Sequence, residues 1–205
     1  DFFVKKGDVI SFKTGDRFVA NKNEFYMSYL NFAKDVKVGE KILIDDGKLI
    51  FEVTKTDQKT IVHAKAVLDG TIRSNKGVNL PNTDVSLPAL TKKDKEDAIF
   101  AISQKVDWIA LSFVRNANDL KDLNDLINKY SDVKIPVIAK IEKPEAILAI
   151  DEITQNCDGL MVARGDLGVE IPCEQVPLLQ KKLVLKAKKC RIPAVSYTHL
   201  RAHET

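Results

Sequence analysis

The chain has 205 residues, 44% of them hydrophobic and 30% charged, which excludes a disordered polymer and leaves room for one or two soluble domains. The 32 basic and 29 acidic residues leave a net charge of +3, too mild to argue for nucleic acid or a membrane surface as a partner. No apolar run approaches a membrane span and residues 1–6 lack a signal-peptide pattern; Cys157, Cys173 and Cys190 have neither CxxC nor zinc-ligand spacing, so they read as free thiols of a reducing, cytoplasmic compartment.

The chain opens inside a strand-like pattern and without Met, as an internal fragment would. Through residues 1–84 short strands alternate with turns: VISF at 9–12, KILI at 41–44, LIFEV at 49–53 and TIVHAKAVL at 60–68, separated by Lys6-Gly7-Asp8, Asp45-Asp46-Gly47 and Asp69-Gly70. The pattern predicts a small antiparallel barrel or sandwich. Residues 31–34 and 36–40 read as turn chemistry between two strands, with Gly39 supplying special backbone geometry. Asp45 and Asp46 read as hairpin-turn residues rather than metal ligands, and His63, in a half-exposed strand, is given no role.

Residues 76–88, KGVNLPNTDVSLP, carry two prolines and a glycine with no helical period, and mark a crossing between two domains, 1–84 and 85–195. After it strands and helices alternate. Thr91, with Asp94 three residues on, caps an amphipathic helix over 93–104 through Ile99, Phe100 and Ile102. A buried strand is predicted over 108–113, and a helix over 118–130 with Leu120, Leu123, Leu126 and Ile127 on one face.

The run at 136–139 is too short for a helix and too unbroken for a half-exposed strand, so it reads as a buried parallel strand. Lys140 and Glu142 end it, and a strand period of two sends both side chains to the same face. Pro144 then opens a helix through Ala146, Ile147, Ile150 and Ile153, and a second buried strand covers 159–163. That strand runs into Arg164, Gly165, Asp166, Leu167 and Gly168, read as a sharp Gly-bracketed loop whose backbone donors can hold an anion while Asp166 supplies a hard oxygen ligand. A single charge closing a buried strand is ordinarily a solvated end or a structural ion pair. Four polar features on one face, at the carboxyl ends of successive parallel strands, favour a site for an oxyanion and a divalent metal in a (β/α)8 barrel.

The last helix is expected over 176–189, with Leu178, Leu179, Leu183 and Leu185 opposite a solvated face of Lys181, Lys182, Lys186, Lys188 and Lys189 that no aromatic residues interleave. Ala194 and Val195 begin another strand. From Ser196 the sequence SYTHLRAHET follows neither period, so residues 196–205 are expected to be a non-native tail outside the core, in which Thr198, His199 and His203 have no role.

KIE at 140–142 followed by DGLMVARGDLGVEIP, together with KGVNLP, SLPALTKKD and DWIALSFVRNANDL in the same order, closely resembles the pyruvate kinase family over residues 1–195. The resemblance implies an α/β chain: a partial (β/α)8 TIM barrel with an inserted small all-β barrel that serves as a lid. It implies transfer of a phosphoryl group from phosphoenolpyruvate to ADP, giving pyruvate and ATP, with Mg2+ and K+ as cofactors. Lys140 matches the family's transition-state stabiliser, Glu142 and Asp166 its magnesium ligands, Gly165 and Asp166 its carboxylate-binding amides, and Lys76 its nucleotide-phosphate lysine. The family's potassium ligands and substrate arginine have no counterpart in this sequence, the isolated chain is expected to be inactive, and a homotetrameric full-length parent is implied. Two other readings fit the residues less well: a metal-dependent pyruvate-enolate carbon–carbon lyase, which also uses a Glu and an Asp at neighbouring strand ends, and a non-catalytic binding module built on the β domain.

Overall fold

The computed structural model describes residues 1–197. They divide into two compact units, Asp1–Ser86 and a second from Leu87 onward.

The first unit is built from β1 (Phe2–Val4), β2 (Val9–Lys13), β3 (Glu24–Tyr26), the single-turn helix α1 (Phe32–Asp35), β4 (Lys41–Ile44), β5 (Leu49–Thr56), β6 (Ile61–Ala66), β7 (Gly70–Ile72) and β8 (Val78–Asn79). β1 and β7 form a two-stranded antiparallel sheet, and the other strands form a six-stranded sheet in the order β3-β2-β6-β5-β4-β8. Along β6 the alternation is plain, with Val62, Ala64 and Ala66 buried and Ile61, His63 and Lys65 at least partly exposed. The core gathers aromatic rings edge-on: Phe12 lies 5.9 Å from Phe32 and 5.7 Å from Phe51 between centroids, a geometry that adds to the burial of each ring.

Two details of this unit differ from the sequence reading. The sheet is not wholly antiparallel, because β2 and β3 run parallel across the excursion of residues 14–23. Residues 31–34, read as a turn, lead into and form most of α1, in which Phe32 and Ala33 are fully buried. Four residues are too few to show a helical period, so burial of Phe32 decides the conformation. At the β4–β5 hairpin Asp45, Asp46 and Gly47 all take positive φ (54°, 57° and 81°), the conformation for which short polar residues and glycine are suited.

The second unit contains α2 (Lys92–Ser103), β9 (Ile109–Leu111), α3 (Ala117–Tyr130), β10 (Val137–Ile141), α4 (Pro144–Leu148), α5 (Ile150–Asn156), β11 (Gly159–Ala163), α6 (Arg164–Glu170), α7 (Val176–Lys189) and β12 (Ala194–Tyr197). The four strands are parallel, in the order β12-β11-β10-β9, with helices in each crossover. This is half of the eight strands that close a (β/α)8 barrel. Thr91 and Asp94 form the predicted capping box at α2. On α3, Leu120, Leu123 and Ile127 enter the same core as Val137, Ala139 and Ile141 of β10, which leaves Ile138, Lys140 and Glu142 to the other face. β11 begins with Gly159, where a Cβ would meet Ile138 at 3.3 Å and Pro193 at 3.4 Å, so the strand lies close to its neighbour because the side chain is absent.

The strand predicted over 108–113 is shorter, since Trp108 and Phe113 are both about half exposed. The helix predicted from Pro144 is offset at Ala149 (ψ 13°) into α4 and α5, with Ala146 and Ile153 both fully buried on either side. β12 does not stop at Val195: Ser196 and Tyr197 pair with Val162 and Ala163. Backbone pairing needs no particular side chain, so the loss of apolar period at Ser196 did not end the strand. Thr198, His199 and His203 fall outside the described residues. Among the described residues no helix is long and apolar enough to cross a membrane.

Candidate active site

At the carboxyl end of β10 the predicted juxtaposition is present: Lys140 Nζ lies 2.6 Å from Glu142 Oε1. The Glu142 side chain is 1% exposed and that of Lys140 23%. A buried carboxylate is tolerable only with a cation and hydrogen bonds around it, and Glu142 has both, because the backbone N–H of Phe113 donates to its Oε2 at 2.8 Å. Lys140 in turn donates to Ser112 Oγ at 2.9 Å. Ser112 and Phe113 were not singled out in the sequence. Register explains them, since Leu111 of β9 stands opposite Ala139 of β10, so the residues after Leu111 arrive beside Lys140 and Glu142.

The carboxyl end of β11, one strand over, is not the loop that the sequence suggested. Residues 164–170 form α6 directly after the strand. Neither Gly165 nor Gly168 takes a positive φ, and although each glycine costs about 1 kcal/mol in a helix, packing outweighs propensity: Leu167 is fully buried, and buried Glu170 pairs with Lys143 at 2.7 Å. Backbone donors still stand at this position, because first-turn N–H groups of a helix have no acceptor within it. Gly165 is exposed and Asp166 partly so, both in that first turn, and Arg164 beside them has its Nε buried without a hydrogen-bond partner.

Glu142 and Asp166, the two residues expected to hold a divalent cation, stand just beyond the ends of the neighbouring strands β10 and β11. Among the described residues no cluster of three or more His, Cys, Asp or Glu could hold a metal. That is compatible with magnesium, which commonly takes one or two carboxylates and completes its shell with water and phosphate oxygens. Glu142 retains lone pairs for this, because a carboxylate offers about four acceptor positions.

In the first unit Lys76 Nζ pairs with Asp45 Oδ1 at 3.1 Å, and Lys48 reaches Oδ2 of the same carboxylate at 3.1 Å. Lys48 first, then Lys76, hold the Asp45 carboxyl below its ordinary pKa. Asp45 is also tied by its N–H to Gly77 O at 3.1 Å. His63, given no role, shares a hydrogen bond with Ser11 Oγ at 2.9 Å. The three cysteines are free thiols, and burial pushes that of Cys157 up to about 11.

The family model described as "Pyruvate kinase, barrel domain" matches residues 1–202. The chain belongs to the pyruvate kinase family. It is 48% identical over 175 residues to pyruvate kinase 2 of Synechocystis sp. and 42% identical over 199 residues to the pyruvate kinase of Geobacillus stearothermophilus, matches that take in 85% and 93% of this chain. It spans 29% and 34% of those two pyruvate kinases, about a third of their length. Among solved structures, a pyruvate kinase from Cryptosporidium parvum superposes with a TM-score of 0.90 at 34% identity, covering 97% of this chain and 41% of that one. The family match therefore takes in both units, the β unit and the half barrel.

Proposed function

We propose that this chain supplies the phosphoryl-transfer end of a pyruvate kinase, acting on phosphoenolpyruvate and ADP to give pyruvate and ATP. The observation that carries the reading is the Lys140–Glu142 pair, a half-buried ammonium against a fully buried carboxylate at the carboxyl end of a parallel strand. In such a barrel that end of the sheet is where chemistry is done. The relatives are pyruvate kinases, which favours this reading over an enolate lyase or a non-catalytic β module.

Lys140 holds a fixed positive charge where the phosphoryl oxygens and the enolate oxygen gain negative charge as the ester P–O bond breaks and ADP oxygen bonds to phosphorus. Gly165 and Asp166, in the first turn of α6, present backbone donors suited to the substrate carboxylate. Glu142 and Asp166 would hold Mg2+, which when bound neutralises phosphate charge and draws the reacting oxygens together. Lys76 would take the nucleotide phosphate in exchange for Asp45, so its present ion pair keeps the ammonium oriented until the phosphate arrives. Family membership extends the reading to K+ as a second cofactor, a cytoplasmic location and a homotetrameric full-length enzyme.

The test belongs in a full-length pyruvate kinase containing this chain. Lys140→Met should raise the barrier by about 3 kcal/mol or more, read as a fall in kcat with little change in magnesium affinity. Glu142→Gln and Asp166→Asn should weaken magnesium binding and turnover together. Near-normal turnover in Lys140→Met, with magnesium affinity intact in both carboxylate variants, would make these structural strand-end charges.

A further inference from the structure

We propose that the dipeptide Ser112-Phe113, immediately after β9, is a brace that fixes Lys140 and Glu142 in their working orientation, and that Ser112 is a positioning residue for phosphoryl transfer. The proposal rests on the function given above for Lys140.

A lysine has a long flexible stem, and its ammonium is a point charge that one partner holds at a distance but not in a direction. Lys140 has two partners on different elements: Glu142 Oε1 just beyond its own strand, at 2.6 Å, and Ser112 Oγ beyond the neighbouring strand, at 2.9 Å. Two acceptors at hydrogen-bond distance confine Nζ to a small region and leave one of its three protons to point elsewhere. Glu142 is fixed in the same way, with Oε1 taken by Lys140 and Oε2 by the Phe113 N–H at 2.8 Å. One dipeptide thus reaches both members of the pair, its hydroxyl going to the cation and its amide to the carboxylate.

The backbone of that dipeptide is held in a conformation that a bulky residue seldom adopts. Phe113 has φ 55°, a conformation strained for a non-glycine residue that persists only where the surroundings impose it. Phe113 is 52% exposed, so burial of the residue does not account for it. The peptide between Ser112 and Phe113 aims its N–H at Glu142 Oε2, and the left-handed φ at Phe113 turns the chain that follows away from the line of β9. The following residues anchor the turn: Val114 is fully buried, the Arg115 N–H and guanidinium bind Asp119 at 2.8 and 3.2 Å, and Asn116 caps α3. The brace is therefore mounted on a rigid support, as an orienting group must be.

The experiment uses Ser112→Ala, Ser112→Cys and Ser112→Thr, each made both in a full-length pyruvate kinase containing this chain and in the chain itself. Ser112→Ala should lower kcat by about ten- to a hundredfold, with the KM for ADP and the magnesium affinity within about twofold. Ser112→Cys, which keeps the volume but weakens the acceptor, should repeat that loss, and Ser112→Thr, which keeps the hydroxyl, should recover most of the rate. In the chain itself, 15N NMR should show the Lys140 ammonium protected from hydrogen exchange in the wild type and in Ser112→Thr, and unprotected in Ser112→Ala and Ser112→Cys. Unchanged kcat in both Ser112→Ala and Ser112→Cys, equal ammonium protection in all variants, or failure of a folded Ser112→Thr to recover activity would overturn the brace. A wild-type full-length protein that turned over no phosphoenolpyruvate would defeat the function reading instead, and the ammonium signal would still decide the brace.

Discussion

Individual carboxyl side chains here are held in place by hydrogen bonds as much as by burial. Glu142 is ionisable and 1% exposed, and two donors on two elements make that possible. Asp57, on the surface between β5 and β6, is held mainly by backbone donors: its Oδ1 accepts from the N–H groups of Lys59, Thr60 and Ile61 at 2.8, 2.9 and 2.8 Å, and Thr60 Oγ1 donates to its Oδ2 at 3.4 Å. Those donors, the Ile61 N–H first, pull its carboxyl from 3.8 to about 2. Because the folded-state value lies below the unfolded one, the stabilisation is fully present above 3.8 and is lost as pH falls through about 2. Asp57→Asn should therefore be less stable than the wild type at neutral pH, and the difference should close across that acid window; exposure keeps the effect small. Urea titrations at several pH values check it, and a difference that did not vary with pH would assign the effect to turn geometry. At this scale the sequence was readable where period sets direction: Lys140 and Glu142 share a face because they are two apart in a strand. Ser112, 28 residues away from Lys140, was not readable, because its place depends on the register between β9 and β10.

Among the elements, those with long apolar periods were legible and those decided by tertiary contacts were not. α3 and α7 repeat buried residues over 14 positions each, enough to show a helix. α6 has seven residues and two glycines, and it becomes a helix because Leu167 and Glu170 must both turn inward. The Glu170 carboxylate meets Lys143, at the start of α4, with side chains 1% and 16% exposed. Lys143 thereby ties α6, which carries Gly165 and Asp166, to the segment that follows Glu142. Removing one partner of a buried pair costs more than removing both, since the remaining charge stays in a place that water does not reach. Lys143→Met should destabilise the second unit by roughly 3 kcal/mol, and adding Glu170→Leu should return part of that loss. Denaturant unfolding of both variants measures this, and a double variant no more stable than the single one would show that the pair is a surface contact in energetic terms.

For the chain as a whole, the change from short strands to strand–helix alternation was visible in composition, and the structure divides at Ser86. Less visible was how differently the two units stand as folding units. The β unit has its own core of interlocked aromatic and aliphatic residues, from Val4 to Leu80, and its edge strands β3 and β8 have only three and two residues, which offer little to an incoming strand. Its last segment is fastened from within, because the Ser86 N–H donates to Tyr29 Oη at 3.0 Å and to Asp35 Oδ2 at 2.8 Å. The second unit has four parallel strands where a closed barrel has eight, so among the described residues β9 and β12 each keep an open edge. It also leaves Phe100, Leu148, Leu178 and Leu185 between 58% and 88% exposed, apolar area that stabilises nothing while it faces water. Residues 1–86 expressed alone should accordingly unfold in one cooperative thermal transition and give a dispersed amide spectrum, whereas residues 87–205 alone should melt at a lower temperature and bind a hydrophobic dye. If the β unit alone were unfolded while the half barrel melted cooperatively, the aromatic core of Phe12, Phe32 and Phe51 would not be self-sufficient, and the second unit's open edges would not be the weak point of the molecule.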